Sequence, residues 1–336
     1  MNKYLVIFAK SIIALLLAFV FMHYFCYFYF NTPTHYDNSS GATDYIWEKN
    51  KFYSKMTEGF GNGKTNNEGF NNIKEYRQND NIDILLMGSS HMEAFQVLQD
   101  ENTASFLNKI FSEQLYTYNI GISGHTLPIC VSNLKKAIEY YRPQKYIIIE
   151  TSNVLFEENC LRDCLNNSLK PASNTARGIN YILQKNKFFR LVYTNFKTLF
   201  TAKNNNLNNK LVYTQDVIDL TSNMLGIINT QSKKNNIIPI IVFHKPLNIT
   251  NKDEDSDINN DENIKTFNEL CNKNNIIFVD MTPVFLKNYK NKKVFPYGFS
   301  NTTPNTGHLN KNGHRMIAEE LYRTISNLEE RKNGIQ

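Results

Sequence analysis

The sequence predicts an α/β protein, a three-layer sandwich around a parallel sheet of about five strands, preceded by one transmembrane helix. Short apolar runs alternate with amphipathic helical stretches from residue 81 onward, and a charge-free stretch of membrane-spanning length lies near the N-terminus. Strands that alternate with helices of this length form a parallel sheet covered on both faces. A chain of 336 residues has room for one such domain with an anchor and an insertion.

The first predicted element is the membrane anchor. Ser11–Phe30 contains no Asp, Glu, Lys or Arg, and its length suits a hydrocarbon core of about 30 Å. Lys3 and Lys10 precede it and aromatic residues crowd its end, so the positive-inside rule places residues 1–10 in the cytoplasm and the rest of the chain outside. A cleaved signal peptide is the alternative, but its cleavage site needs small residues where this segment is bulky.

The next segment, residues 31–80, is rich in Asn, Gly, Lys and Tyr and shows no sustained periodicity. This composition predicts a stalk that holds the following domain away from the bilayer. The folded α/β domain is expected at residues 81–330.

The domain's strands and helices follow in alternation. Strands are predicted at 82–87, 115–120, 146–149, 237–243 and 276–279, and helices at 102–111, 127–141, 214–233, 263–272 and 311–328. Parallel sheets of this kind place active sites at the carboxyl ends of their strands. An aromatic and basic insertion at about 154–212 interrupts the pattern, and it suits a lid, a surface for anionic polymer or headgroups, or a simple decoration.

Several classes of site are not favoured. The five cysteines lack zinc-site spacing; Cys160 and Cys164 could just reach disulfide distance on a helix, but two free thiols are the simpler interpretation. The acidic run at 253–262 fails the EF-hand template, because Ile258 and Ile264 replace the turn glycine and the closing glutamate. A net charge of +6 without a basic stripe argues against nucleic acid.

Four short blocks carry the chemistry. Gly88–His91 follows the first strand and places Ser90 on a strand-to-helix turn, while Gly124 follows the second strand. Asn153 follows the third strand, and His308 opens the last helix. Each has an ordinary explanation on its own, as a turn, a cap, a loop residue or a structural histidine.

Taken together, the four blocks resemble the SGNH (GDSL-like) hydrolase superfamily over about residues 80 to 328 without the insertion. The resemblance implies a flavodoxin-like fold in which Ser90 is the nucleophile and His308 its base. It also implies an oxyanion hole made by the N–H groups of Ser90 and Gly124 and the amide of Asn153, with neither a metal nor a cofactor.

The chain departs from the family pattern at two positions. Ser89 stands where the Gly-Asp-Ser motif has its acid, and Asn305 stands where the Asp-x-x-His motif has the triad acid. We expect the Asn305 amide oxygen to orient His308, as an amide can still accept the imidazole N–H. Asp280 is the nearest upstream acid, but Thr282 and Pro283 follow it as a helix start would, so we expect it to have a capping or loop role and not to be the triad acid.

The resemblance extends to anchored SGNH proteins that add or remove acyl groups on cell-surface polysaccharides, often beside a membrane-bound acyltransferase. It implies an extracytoplasmic, serine-dependent ester hydrolase or O-acyltransferase acting on an acylated carbohydrate or another small acyl ester. The alternative is a non-catalytic scaffold that binds glycan or a membrane acyltransferase, motivated by the missing triad acid and the basic insertion. A lipase or thioesterase would need an apolar acyl groove that nothing in the sequence demands.

Overall fold

The structure is a computed structural model that describes residues 3–37, 42–43, 45–112, 114–169, 213–248 and 261–334, with the single positions 188 and 192. Most of the predicted insertion and nearly all of the acidic run therefore lie outside the described residues. In chain order the elements are α1 Lys3–Tyr29, β1 Phe30–Asn31, β2 His35–Asp37, β3 Tyr45–Trp47, β4 Phe52–Lys55, β5 Gly61–Lys64, β6 Ile84–Met87, α2 Ser90–Glu93, α3 Thr103–Phe111, β7 Thr117–Asn119, α4 Leu127–Tyr141, β8 Tyr146–Thr151, α5 Glu158–Leu165, α6 Gln215–Lys234, β9 Ile238–Phe243, α7 Glu262–Lys273, β10 Ile277–Asp280, α8 Thr282–Lys292 and α9 Lys311–Asn333.

The centre of the fold is a five-stranded parallel sheet in the order β10-β9-β8-β6-β7. Central strand β6 pairs with β8 on one side and with β7 on the other, and Met87 lies opposite Ile149 at the carboxyl end. The strand order reverses direction around β6, so a crevice opens at its carboxyl end. The predicted fold class, an α/β sandwich with a parallel sheet of about five strands, is confirmed.

Helices cover both faces of this sheet. Leu85 and Met87 of β6 pack into a core with α4, α5, α6 and α7, whereas Ile84 and Leu86 pack into a second core with α3, α8 and α9. Alternate residues of a strand point to opposite faces, so a strand buried on both faces is apolar at every position. This explains why β6 is a continuous apolar run, and it leaves polar residues to the strand ends.

At the N-terminus, α1 is long and apolar enough to cross a membrane by length and composition. Cys26 is its buried residue, and the other described side chains of the helix are at least partly exposed. The helix continues directly into β1, and the backbone N–H of Met56 donates to the carbonyl of Tyr29 at 3.0 Å. The end of the candidate anchor is thus bonded to the strand region that follows.

The predicted stalk at residues 31–80 requires a correction. Its described residues form the antiparallel sheet β1-β4-β5 and the hairpin β2-β3, and Trp47, Tyr53 and Phe70 are buried. Trp47 and Tyr53 both pack on the Phe95 ring. We call residues 30–80 the antiparallel segment and residues 81–334 the parallel-sheet domain; the first packs against the second and does not stand away from it.

Candidate active site

Ser90 is the first residue of α2, immediately beyond the carboxyl end of β6. The turn is tight: a Cβ on Gly88 would lie 2.6 Å from a Glu150 carboxylate oxygen and 2.7 Å from the Cγ of Met92. Glycine is therefore required there. The Ser89 hydroxyl caps the short helix by accepting from the backbone N–H of His91 at 3.3 Å.

His308 lies two residues before Asn310, the N-cap of α9. Its Nε2 is 2.9 Å from the hydroxyl oxygen of Ser90, so the structure brings together the two residues that the sequence predicts as base and nucleophile. The His308 side chain is 27% exposed, which leaves the pair accessible to a small substrate.

The other face of His308 is held by Glu58, which lies between β4 and β5 of the antiparallel segment. The Glu58 Oε2 is 2.8 Å from Nδ1 of His308, and Oε1 accepts from the backbone N–H of His308 at 2.8 Å. Burial would raise the pKa of Glu58, but the hydrogen bonds and charge interactions with His308 lower it on balance, with a smaller contribution from Lys55. An ionised carboxylate therefore orients the imidazole.

Asn305 does not orient His308, so that expectation was wrong. Its Nδ2 donates to the carbonyl of Leu247 at 2.6 Å, and its Oδ1 accepts from the backbone N–H of Leu247 at 3.0 Å. A Cβ on Gly307 would lie 2.3 Å from Oε1 of Glu58, so glycine makes room for the carboxylate that replaces the expected one. Asp280 accepts from the N–H of Thr282 at 2.9 Å at the start of α8, the capping contact expected from the sequence.

The predicted oxyanion donors lie at the carboxyl ends of neighbouring strands. Gly124 follows β7 with a φ of +86°, and a Cβ there would meet no atom within 4 Å, so its backbone faces open space. Asn153 follows β8, its side chain is exposed, and no residue in the described part of the chain hydrogen-bonds its side-chain amide. The joint action of these groups on an oxyanion stays a prediction.

A buried carboxylate that sequence reasoning missed, Glu93, fixes the loop that carries Gly124. It accepts from the backbone N–H of Ser123 at 2.7 Å, from the Ser123 hydroxyl at 2.6 Å and from the Trp47 indole N–H at 2.7 Å. Burial raises the pKa of Glu93, while these hydrogen bonds oppose the rise. Glu93 thus connects α2, the loop after β7 and the antiparallel segment.

Two further histidines differ in position: His91 lies beside His308, whereas His314 lies within α9. Burial, together with the neighbouring His244, lowers the pKa of His91 to about 3, so this imidazole is neutral, and its Nδ1 accepts from the backbone N–H of Leu309 at 3.3 Å. His314 is buried in α9 with its Nδ1 2.9 Å from the hydroxyl of Thr103, a packing role. Among the described residues no group of three or more His, Cys, Asp or Glu could hold a metal ion.

No family model matches the chain, and no curated protein matches it. Among solved structures it is similar to the psychrotrophic esterase EstA from Pseudoalteromonas sp. (15% identity over 75% of this chain and 100% of that chain, TM-score 0.41) and to an acetyl xylan esterase (14%, 72% and 98%, TM-score 0.39). A putative SGNH hydrolase from Slackia heliotrinireducens shows 10% identity over 73% of this chain and 100% of that chain, with a TM-score of 0.39. Likenesses this low carry no argument about activity.

Proposed function

We propose that this chain is a serine-dependent acyl-ester hydrolase or O-acyltransferase of the SGNH type, with Ser90 as nucleophile, His308 as base and Glu58 as the triad acid. The observation that supports it most directly is the chain of contacts from Ser90 to His308 at 2.9 Å and from His308 to Glu58 at 2.8 Å. A nucleophile, a base and an orienting carboxylate in hydrogen-bond reach form the constellation that activates serine in acyl transfer.

The carboxylate sets the tautomer that the reaction needs. Because an ionised Glu58 can only accept, Nδ1 of His308 carries the proton and the lone pair of Nε2 faces Ser90. His308 then removes the hydroxyl proton while Ser90 attacks the ester carbonyl. The negative charge of Glu58 stabilises the imidazolium that results.

The rest of the cycle transfers the acyl group. The carbonyl oxygen becomes an oxyanion that the N–H groups of Ser90 and Gly124 and the amide of Asn153 stabilise. The imidazolium returns its proton to the leaving alcohol, and the acyl group stays on Ser90. Water or a sugar hydroxyl, deprotonated by His308, attacks this ester, and the imidazolium returns that proton to the departing Ser90 oxygen, which regenerates the free serine.

The compartment and the substrate also belong to the proposal. The positive residues Lys3 and Lys10 in the first part of α1 and the aromatic belt at its end favour an anchor with the catalytic domain outside the cytoplasm. The resemblance to anchored SGNH proteins favours an acylated carbohydrate of the cell envelope, with a membrane-bound acyltransferase as a partner. The non-catalytic scaffold loses its main motivation, because Glu58 supplies the acid that is missing at position 305.

Active-site labelling tests the proposal. A fluorophosphonate probe should label the wild-type chain at Ser90, and Ser90→Ala or His308→Ala should abolish labelling. Ser300→Ala, at an exposed serine outside the triad, is the matched control and should label normally. Labelling that survives in Ser90→Ala would contradict the assignment.

Two further measurements divide the finer alternatives. Mass spectrometry of an acyl donor incubated with the protein and candidate glycans shows whether the acyl group moves to water or to sugar. A C-terminal reporter that is active only outside the cytoplasm would support the topology, and a reporter active in the cytoplasm would contradict it.

A further inference from the structure

A buried carboxylate lies directly beneath the nucleophile turn. Glu150 is near the end of β8 and is fully buried. Its Oε2 accepts from the backbone N–H of Ser89 at 2.7 Å and from the Ser89 hydroxyl at 2.8 Å. Both hydrogen-bond donors of Ser89, the residue before the nucleophile, are therefore fixed by one oxygen atom.

The second oxygen of Glu150 faces another buried residue. Its Oε1 lies 3.0 Å from Nε2 of His244, which directly follows β9, although the angle is not that of a well-aligned hydrogen bond. On its other side, Nδ1 of His244 is hydrogen-bonded to the hydroxyl of Tyr297. His244 and Tyr297 are no more than 1% exposed, so solvent does not compete for these contacts.

Tyr297 belongs to the turn that delivers the base. It forms an antiparallel bridge with Leu309, the residue after His308. The backbone N–H of Gly298 donates to the carbonyl of His308 at 3.1 Å. A continuous set of contacts therefore runs from Ser89 through Glu150, His244 and Tyr297 to the loop that carries His308.

Charge and burial make this set sensitive to change. Burial would raise the pKa of Glu150, but the close approach of His244 and the N–H of Ser89 lower it to about 2, so Glu150 is ionised. A buried charge persists only where partners satisfy it, and removing one partner is strongly destabilising. Glutamine is therefore a more informative replacement than alanine.

We propose that Glu150 is a positioning residue, which through Ser89 directs the Ser90 hydroxyl at His308 and through His244 and Tyr297 keeps the nucleophile turn in register with the base loop. This inference rests on the proposed function. Neither Glu150 nor His244 touches the Ser90–His308–Glu58 contacts, so both act through the residues that do.

The arrangement also accounts for the serine at position 89. A carboxylate there would stand beside that of Glu150, because the Ser89 hydroxyl is 2.8 Å from Oε2. Two carboxylates at this separation do not both ionise readily. The turn can carry an acid at position 89 or receive one from β8, and this chain has the second arrangement.

The first test separates positioning from folding in the full-length protein. Glu150→Gln keeps the side-chain shape and one acceptor, but its amide NH₂ cannot accept from a second donor. We expect the kcat for p-nitrophenyl acetate to fall roughly 10- to 100-fold, on the scale of losing one aligned catalytic contact, with an unchanged KM. His244→Gln should lower kcat similarly, and Tyr297→Phe less.

The matched control is His314→Gln, which also replaces a buried imidazole but one bonded to Thr103 and outside the contact set. It should leave kcat within about twofold even if it lowers the melting temperature by a few degrees. Equal losses of kcat in His244→Gln and His314→Gln would overturn the positioning role.

The second test is a rescue. Ser89→Asp alone should be nearly inactive because its carboxylate opposes that of Glu150. The double variant Ser89→Asp, Glu150→Gln should recover at least about tenfold of that loss, because the like charges no longer meet. Two purely structural defects would add, so a double variant no better than Ser89→Asp overturns the inference.

The outcomes also separate this inference from the proposed function. If the wild-type chain is not labelled at Ser90, the proposed function fails and the positioning role fails with it. If the wild type is labelled normally and Glu150→Gln turns over within twofold of it, only the positioning role is overturned.

Discussion

The parallel-sheet domain and the antiparallel segment contribute to the same site in different ways. The domain supplies Ser90 and His308 at a strand end and before a helix, positions that follow from its architecture. The segment supplies Glu58 from a loop between two four-residue strands. A carboxylate from one region thus contacts an imidazole of the other, 250 residues away in sequence.

Glu58 is held on both sides by the parallel-sheet domain. The Asn301 side chain donates to the carbonyls of Met56 at 2.9 Å and Gly59 at 3.1 Å, and it accepts from the N–H of Gly59 at 3.0 Å. A Cβ on Gly59 would lie 2.1 Å from the carbonyl oxygen of Gln96, so this loop sits tightly against the domain. The position of the acid therefore depends on the contact between the two regions.

The largest expected effect follows from removing the negative charge of Glu58. Glu58→Gln should lower kcat by about 10³- to 10⁴-fold, on the scale of the corresponding amide substitution in a serine protease, because the amide permits the wrong imidazole tautomer and lacks the charge. Steady-state kinetics with p-nitrophenyl acetate measures this. Glu75→Gln, at an exposed glutamate of the same segment, is the control and should leave kcat unchanged.

A loss below tenfold in Glu58→Gln would contradict the role of Glu58 as the triad acid. The segment would then contribute packing but no catalytic group, and the Ser90–His308 pair of the domain would be sufficient.

The second-largest expected effect concerns Asn153, the proposed oxyanion donor in the parallel-sheet domain. Asn153→Ala should lower kcat by roughly 10²-fold or more, the scale of losing one oxyanion donor. Because the side chain is exposed and its amide has no partner among the described residues, folding should be unaffected. Asn291→Ala, at an exposed position of α8, serves as the control. An unchanged rate would make Asn153 a loop residue only.

The two regions also differ in what the sequence could predict. The apolar runs predicted as strands at 82–87 and 146–149 overlap β6 and β8, because a strand buried on both faces must be apolar throughout. In the antiparallel segment the described strands have two to four residues, too short for a period to show. The strands of this segment are stabilised by tertiary contacts that no local pattern reveals. The sequence therefore predicts a stalk there and offers no reason to select Glu58.

The role of Glu150 could be predicted only in part from the sequence. It stands at the end of the apolar run that forms β8, and a charged residue there is either at a solvent-exposed end or buried with a partner. The sequence showed the residue but not the partners, since His244 follows a different strand and Tyr297 lies in the loop before α9. Buried polar networks join residues far apart in sequence, and local patterns do not reveal them.

A third, smaller effect is expected from removing a hydrogen bond between the antiparallel segment and the parallel-sheet domain. Trp47→Phe keeps an aromatic ring against Phe95 but removes the indole N–H that Glu93 accepts. Leaving a buried carboxylate one donor short should lower the free energy of unfolding by about 1–3 kcal/mol, measured by urea denaturation. Ser123→Ala removes the hydroxyl of the parallel-sheet domain that donates to Glu93. It should lower the free energy of unfolding by a similar amount. No change in either variant would mean that Glu93 does not connect the regions.

The pH dependence of stability tests whether the charge of Glu58 stabilises the fold. Its folded-state pKa lies below the usual 4.5, so its contribution to stability is present above that pH and is lost as the pH falls through the folded-state value. The difference in unfolding free energy between wild type and Glu58→Gln should therefore shrink on going from pH 7 to below about 4. A constant difference would show that the carboxylate charge does not contribute to stability.

The smallest effect is expected at Asn305, the position at which the sequence resemblance places an acid. In Asn305→Asp the carboxylate still accepts from the N–H of Leu247, but the donor to the Leu247 carbonyl is lost. The φ of +60° at this position suits Asp about as well as Asn. One lost hydrogen bond costs about 1 kcal/mol, and turnover should stay within about threefold because Glu58 already occupies Nδ1 of His308. For the same reason, Asn305→Asp should not restore activity to Glu58→Gln. If that double variant regains turnover, position 305 can reach the imidazole, and the triad acid need not come from the antiparallel segment.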